Sequence, residues 1–175
     1  MRRIIYMMIA MLMAMTSFAQ EKDEEPFMVS VKPNDISNVI NDSCNVEFPV
    51  YDIENDSLEN LIYQKIEKTI SSEYGPISHI FLNYFYVDEE CFQVGIKSYT
   101  YSAALVSSND FGVTFIHDVP VFIRGKDAKS ILKLKEEKAF FKPKPYRGVL
   151  FCSPTEIYQY TFSSKEFVYL YKVMR

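Results

Sequence analysis

The fold of this chain is decided by residues 56–87, where DSLENLIYQKIEKTI (56–70) is followed by HIFLNYFYV (79–87). In the first part, apolar side chains recur at helical spacing and polar ones fill the opposite face. Asp56 with Glu59 matches a capping box, and Gly75-Pro76 is a stop signal. The pattern predicts an amphipathic helix over about residues 57–72, with an apolar stripe of Leu58, Leu61, Ile62, Ile66 and Ile70.

After this helix the apolar period changes to two, which indicates strands. Asp88-Glu89-Glu90 reads as a hairpin turn, and Pro120 interrupts one of the extended runs. A further strand is predicted around Val46–Val50, where Pro49 indicates an edge or a bulged strand. The other predicted strands cover residues 79–87, 92–105, 113–123, 148–162 and 167–173.

These elements predict an α+β fold, in which the helix packs on a curved, mostly antiparallel sheet of five or six strands. Strands and helices do not alternate, so a doubly wound parallel sheet is disfavoured. In outline the arrangement is similar to the cystatin-like fold, in which a meander wraps a helix. The inhibitor motif of that family is absent, so the resemblance concerns architecture only.

The first 19 residues have the organisation of an export signal. Arg2 and Arg3 precede an uncharged apolar run over 4–15, and Ser17-Phe18-Ala19 is a small-x-small cleavage site. An apolar run of twelve residues is too short for a membrane span, which needs about 20. We therefore expect a bacterial protein that is periplasmic or secreted, has no transmembrane anchor and is soluble after cleavage near Ala19-Gln20.

The mature chain is expected to form one domain. Residues 20–42 are predicted to form a flexible acidic arm. Residues 43–175 are predicted to form a single α+β domain with a basic excursion at 126–147, which contains eight basic and three acidic residues. Within the excursion, 127–138 is compatible with a short helix, and the prolines of 142–145 require extended backbone. Removal of Arg2 and Arg3 takes the formal charge from −4 to −6, which disfavours a nucleic-acid partner.

The sequence contains no catalytic, metal-binding or phosphate-binding signature, so no cofactor is expected. His79 and His117 are the two candidate bases for a small hydrolase or thiol enzyme, and the interpretation as structural histidines is favoured. After the leader come three cysteines, Cys44, Cys91 and Cys152, which allow at most one internal disulfide. Sequence alone does not choose among the three pairings.

Tyrosines at i and i+2 provide the most specific functional signal. Strand side chains two residues apart share a face, so Tyr84 with Tyr86 and Tyr99 with Tyr101 each point to one side. The same spacing recurs at 158 and 160 and at 169 and 171. The alternative is that these rings are ordinary cross-strand pairs in a half-buried core.

Together these features favour an exported, non-catalytic binding module that engages another protein, as an inhibitor or immunity protein does. The predicted binding residues are Tyr84, Tyr86, Tyr99 and Tyr101 on a sheet face, with Lys142 and Lys144 in the basic excursion. A glycan ligand is compatible with the same surface. The alternatives are an enzyme that uses a cysteine with His79 or His117, and an envelope assembly subunit whose edge strands pair with neighbours.

Overall fold

The computed structural model describes residues 27–31, 46–70, 75–107, 110–124, 132–145 and 153–174. The signal segment, Cys44 and Cys152 lie outside these residues. The described part contains one helix and eleven strands. In chain order they are β1 (Phe27–Ser30), β2 (Val46–Ile53), α1 (Asp56–Ile70), β3 (His79–Tyr86), β4 (Cys91–Tyr99), β5 (Ala103–Val106), β6 (Asp110–Ile116), β7 (Val119–Arg124), β8 (Leu132–Phe141), β9 (Pro143–Lys144), β10 (Thr155–Thr161) and β11 (Glu166–Val173).

The strands form two sheets. The main sheet has eight strands in the order β11-β10-β4-β3-β7-β6-β2-β8, and the small sheet has three in the order β5-β1-β9. Most neighbours are antiparallel, as predicted, but β2 with β6 and β3 with β7 are parallel pairs. The prediction of five or six strands was therefore too low, and a single meander does not describe the order.

Helix α1 confirms the predicted amphipathic pattern. Leu58, Ile62 and Ile66 are buried against one face of the main sheet. The cap lies one residue earlier than predicted, because the Asn55 side-chain oxygen accepts a hydrogen bond from the Leu58 backbone N–H at 3.0 Å. The first turn of the helix is tied to the β10–β11 turn, where the Ser57 hydroxyl donates to the Lys165 carbonyl at 2.9 Å.

The two faces of the main sheet have separate cores. On the helix side, α1 packs on alternating residues of β3, β4 and β7, including Ile80, Val94 and Val121. On the far side, Val29 of β1 and Ala104 of β5 pack on aromatic residues of the main sheet. The aromatic cluster of this far-side core consists of Phe48, Phe81, Phe122 and Phe141.

Two segments predicted to be irregular contain strands. β1 lies inside the predicted flexible arm at 20–42, and Val29 and Val31 are fully buried, so that prediction is wrong for this part of the segment. The basic excursion contains β8, which is extended where a short helix was considered. The extended backbone predicted for 142–145 is confirmed by β9.

Two predicted strands are interrupted. The run at 113–123 is a hairpin, because His117 and Asp118 form a turn with φ of 49° and 62°, a backbone region in which His and Asp are enriched. The run at 92–105 breaks after Tyr99, and its second part becomes β5 of the small sheet. β2 is bulged at Pro49, as predicted, but it lies between β6 and β8 and is not an edge.

Candidate functional site

The two edges of the main sheet differ in chemistry. The outer strand at one end, β8, carries five charged side chains. Two of them, Lys135 and Lys138, form ion pairs with Asp52 and Glu47 of β2, each at 2.6 Å. Charged side chains on an outer strand oppose pairing with another chain. These contacts also show that the basic excursion and the acidic N-terminal part of the chain attract each other.

The outer strand at the other end, β11, is apolar and exposed. Of the ten exposed large hydrophobic side chains in the described part of the chain, five belong to the β10–β11 hairpin and a sixth, Met174, follows it directly. Four are consecutive and define what we call the β11 edge: Val168, Tyr169, Leu170 and Tyr171, which are 37–57% exposed. Outer strands with such side chains are templates for a further strand, and natural proteins rarely leave them without a use.

A bulge sends the side chains of the β11 edge to both faces. Tyr169 lies opposite Tyr158, whereas Tyr171 lies opposite Ile157, so one residue of β11 is extra between these pairs. Tyr169 consequently faces the helix side, where its ring meets that of Tyr158 at 5.5 Å. The register places Tyr171 on the far side. The prediction that residues 169 and 171 share a face is therefore wrong, since it assumed a regular strand.

On the far side, the β11 edge continues into an apolar surface that we call the open patch. Its residues are Phe85, Ile157, Val168 and Tyr171. The patch surrounds Gly95, where a Cβ would lie 3.3 Å from Ile157 Cδ1 and 3.4 Å from Phe85 Cε2. The Gln93 side-chain amide donates to Gln159 Oε1 at 3.4 Å, which satisfies polar groups within the patch. Phe85 is 48% exposed, so the patch is a surface and not a core.

On the helix side, a polar cluster holds β10 against α1. Lys65 forms an ion pair with Glu156, and the Tyr158 hydroxyl donates to the same carboxylate oxygen at 2.8 Å. Burial raises the pKa of Glu156, but the bonds from Lys65 and Tyr158 outweigh it and the pKa lies below its ordinary value. Burial, and then the Glu156 carboxylate, raise the pKa of Tyr158. The strand next to the β11 edge is therefore held rigidly.

The predicted tyrosines occupy both faces of the main sheet. Tyr84 is buried in the helix-side core, whereas Tyr99 is half-buried on the far side and stacks on His79 at 4.8 Å. Tyr101 is exposed beyond the end of β4, and for Tyr86 only the backbone position in β3 is described. Tyr84 and Tyr99 therefore do not contribute to one platform.

Removal of the Tyr84 hydroxyl is expected to stabilise the protein. This buried oxygen has no hydrogen-bond partner among the described residues, and burial raises its pKa. An unsatisfied buried hydroxyl costs about 1–3 kcal/mol, so Tyr84→Phe should raise the free energy of unfolding by about 1 kcal/mol in a urea titration. The matched change Tyr158→Phe should lower it by about 1 kcal/mol, because that hydroxyl binds a carboxylate. Equal effects of the two changes would contradict this assignment.

The remaining predicted residues lie elsewhere. Lys144 belongs to β9 of the small sheet, and Lys142 immediately precedes that strand. Cys91 is a buried free thiol, and burial followed by the neighbouring Asp88 raises its pKa. His79 begins β3, opposite Tyr99, whereas Cys91 lies beyond the far end of the same β3–β4 pair, about 25 Å along the strands. This geometry does not bring Cys91 and His79 together.

Other types of site are not visible in the described residues. No group of three or more metal-ligating side chains comes together in the part of the chain that the structure describes. Within the same residues, no helix has the length and apolar character needed to cross a membrane. Comparison with protein families, curated proteins and solved structures gave no match.

Proposed function

We propose that this chain is an exported, non-catalytic binding module that engages another protein through the β11 edge and the open patch. The observation that carries the proposal is the contrast between the two outer strands. β8 is charged and ion-paired, whereas β11 presents four consecutive exposed apolar or aromatic side chains. A strand without a partner would be expected to carry the same protection as β8.

The geometry favours addition of an extended segment of the partner along β11. In such complexes the main-chain hydrogen bonds provide affinity, and side-chain contacts on alternate positions provide specificity. Tyr171 and Val168 would contact the partner on the far side, with Phe85 behind them, and Tyr169 would contact it on the helix side. Tyrosines are suited to this role because they offer contact area with few rotatable bonds.

The ion-paired helix supports the same function. A binding surface gains affinity when its residues are already ordered, because less conformational entropy is lost on association. The Lys65–Glu156–Tyr158 cluster fixes β10 on one side, and the Ser57 hydroxyl bond fixes the turn that precedes β11. Both contacts position β11 without occupying its outer side.

The test is affinity capture from native envelope and secreted extracts with residues 20–175 as bait. Val168→Lys with Tyr171→Lys places two charges in the open patch, and we expect retention of the captured protein to fall at least 30-fold, which corresponds to about 2 kcal/mol. The control is Leu134→Lys, which places a charge on an equally exposed residue of β8 and should leave retention unchanged.

Three outcomes separate the hypotheses. Retention that survives the paired lysine changes, or is lost equally in the Leu134 control, would contradict the proposed surface. Recovery of the bait alone, with a mass that rises with concentration, would instead support the envelope assembly subunit, in which a second copy pairs with β11. Recovery of the bait alone as a monomer would favour a glycan ligand or the small secreted enzyme.

A further inference from the structure

His79 lies at the joint between the main sheet and the small sheet. Its ring is 1% exposed and stacks on Tyr99 with an angle of 3° between the ring planes. The edges of Phe81 and Phe122 approach it at centroid distances of 5.5 Å and 6.1 Å. Ring contacts therefore enclose the imidazole on several sides, and a buried charge at this position would be poorly solvated.

The imidazole is also bonded to the segment that connects the two sheets. Its Nδ1 lies 3.0 Å from the Ser78 hydroxyl, which in turn donates to the Tyr101 carbonyl. The Tyr101 carbonyl accepts a hydrogen bond from the imidazole as well. Tyr101 lies between the end of β4 and the start of β5, so these bonds hold the chain at the point where it leaves the main sheet.

Two cations of the described residues lie at this joint, and Asp110 of β6 is the register partner of one of them, Arg124. Arg124 of β7 donates to the Leu105 carbonyl of β5 at 3.1 Å, and its guanidinium lies 4.1 Å from the centroid of the Phe81 ring. The Lys97 ammonium of β4 lies 5.6 Å from the centroid of the Tyr99 ring. Ser78, which immediately precedes β3, is the polar neighbour of the imidazole. Among the described residues, the contacts of His79 named above include no carboxylate, and the Arg124 cation disfavours a protonated imidazole.

We propose that His79 is an acid-sensitive latch, whose protonation releases the small sheet from the main sheet while the helix-side core stays folded. Val29 and Ala104 of the small sheet, with Val31 just after β1, belong to the far-side core. The chain enters β5 through residues 100–102, where the Tyr101 carbonyl accepts a hydrogen bond from Ser78, the neighbour of the imidazole. None of the side chains named above as contacts of His79 belongs to the helix-side core. His79 is connected to that core through the backbone of β3. Release would therefore uncover the far-side core alone.

The direction of the pH effect follows from the environment of the ring. Burial lowers the pKa of His79 from 6.5 to about 4, the Tyr101 carbonyl opposes this shift and the Arg124 cation adds to it. The imidazole binds a proton more tightly when the small sheet is released than when it is docked, so protons favour release. The contact between the two sheets is therefore fully stable above pH 6.5 and weakens as the pH falls towards 4. For these two values, the released population should be about 70-fold larger at pH 4.5 than at pH 7.5.

The test is amide hydrogen exchange of the mature chain, residues 20–175, at pH 7.5 and 4.5, corrected for intrinsic exchange rates. We expect protection of β1 and β5 amides to fall about 70-fold at the lower pH, while the protection of α1 and β4 amides changes much less. His79→Gln keeps a neutral hydrogen-bonding side chain and should reduce the change to less than about 5-fold. His117→Asn, in the exposed β6–β7 turn, is the control and should behave like the unchanged protein.

Unchanged protection of β1 and β5 at pH 4.5 would overturn the proposal, as would loss of protection in all elements together. The same change in His79→Gln as in the unchanged protein would also overturn it. Should His79→Gln fail to fold, the imidazole of the unchanged protein is titrated directly by NMR. A midpoint near 4 for His79 supports the latch, and a midpoint near 6.5 contradicts it.

Discussion

Replacement of Phe122 by alanine is expected to lower the free energy of unfolding by about 3–5 kcal/mol. The Phe122 ring is fully buried, and it contacts three phenylalanine rings at centroid distances of 5.3–5.7 Å. Truncation removes these contacts and leaves a cavity that the two surrounding sheets cannot collapse to fill. The measurement is the midpoint and slope of a urea titration, followed by far-ultraviolet circular dichroism.

The matched control is Phe85→Ala. It removes the same atoms from the same side of the main sheet, but from a ring that is 48% exposed in the open patch. We expect a loss of about 1 kcal/mol or less, because little apolar surface returns to water. Equal losses for the two changes would mean that the small sheet does not cover Phe122 in solution, and the far-side core would have to be redrawn.

The helix was predictable because its signals are local. The apolar spacing, the cap and the stop signal lie within about 20 residues of one another, and all three favour a helix. Local preference and tertiary packing therefore favour the same structure. The position of the cap moved by one residue because Asn55 competes with Asp56, and both are good cap residues. Such small shifts are common at the ends of helices.

The missing strands have different physical causes. The prediction missed β8 because its apolar alternation is short, covering Leu132 and Leu134 only, and is followed by exposed charges. Its pairing partner β2 also lies about 80–95 residues earlier in the chain. The prediction missed β1 because its fully buried Val29 and the adjacent Val31 follow a strongly acidic stretch that dominates the local composition. The β6–β7 turn uses His117-Asp118 in place of a glycine, so it carried no strong signal.

The candidate site was predictable only in part. The i, i+2 spacing identified tyrosines in strands, but spacing does not tell which side of a strand a helix will cover, and Tyr84 proved to face α1. The tyrosines at 169 and 171 matter because β11 is an outer strand, and that depends on the order of all eight strands. The bulge that separates them depends on the pairing with β10.

Replacement of Gly112 by alanine is expected to lower the free energy of unfolding by about 3 kcal/mol. In a strand, a change from glycine to alanine ordinarily stabilises by about 0.4–1 kcal/mol, since the unfolded chain loses freedom. Here a Cβ would lie 2.5 Å from Tyr51 Cε2 and 2.8 Å from the Pro49 carbonyl oxygen. The Tyr51 ring is itself buried, and the Pro49 oxygen belongs to the backbone of the neighbouring strand β2. The Pro49 oxygen can move only if β2 moves away from β6, and the Tyr51 ring has little room to turn because it is buried.

The control for this steric argument is Gly95→Ala, measured in the same urea titration. A Cβ at Gly95 would lie 3.1–3.4 Å from the ends of three side chains, Thr155, Ile157 and Phe85, and these can rotate away into the open patch. We expect the free energy of unfolding to change by less than about 1 kcal/mol. A similarly small change in the free energy of unfolding for Gly112→Ala would contradict the close approach of β2 and β6. The parallel pairing of these strands at Val50 and Val113 would then be wrong.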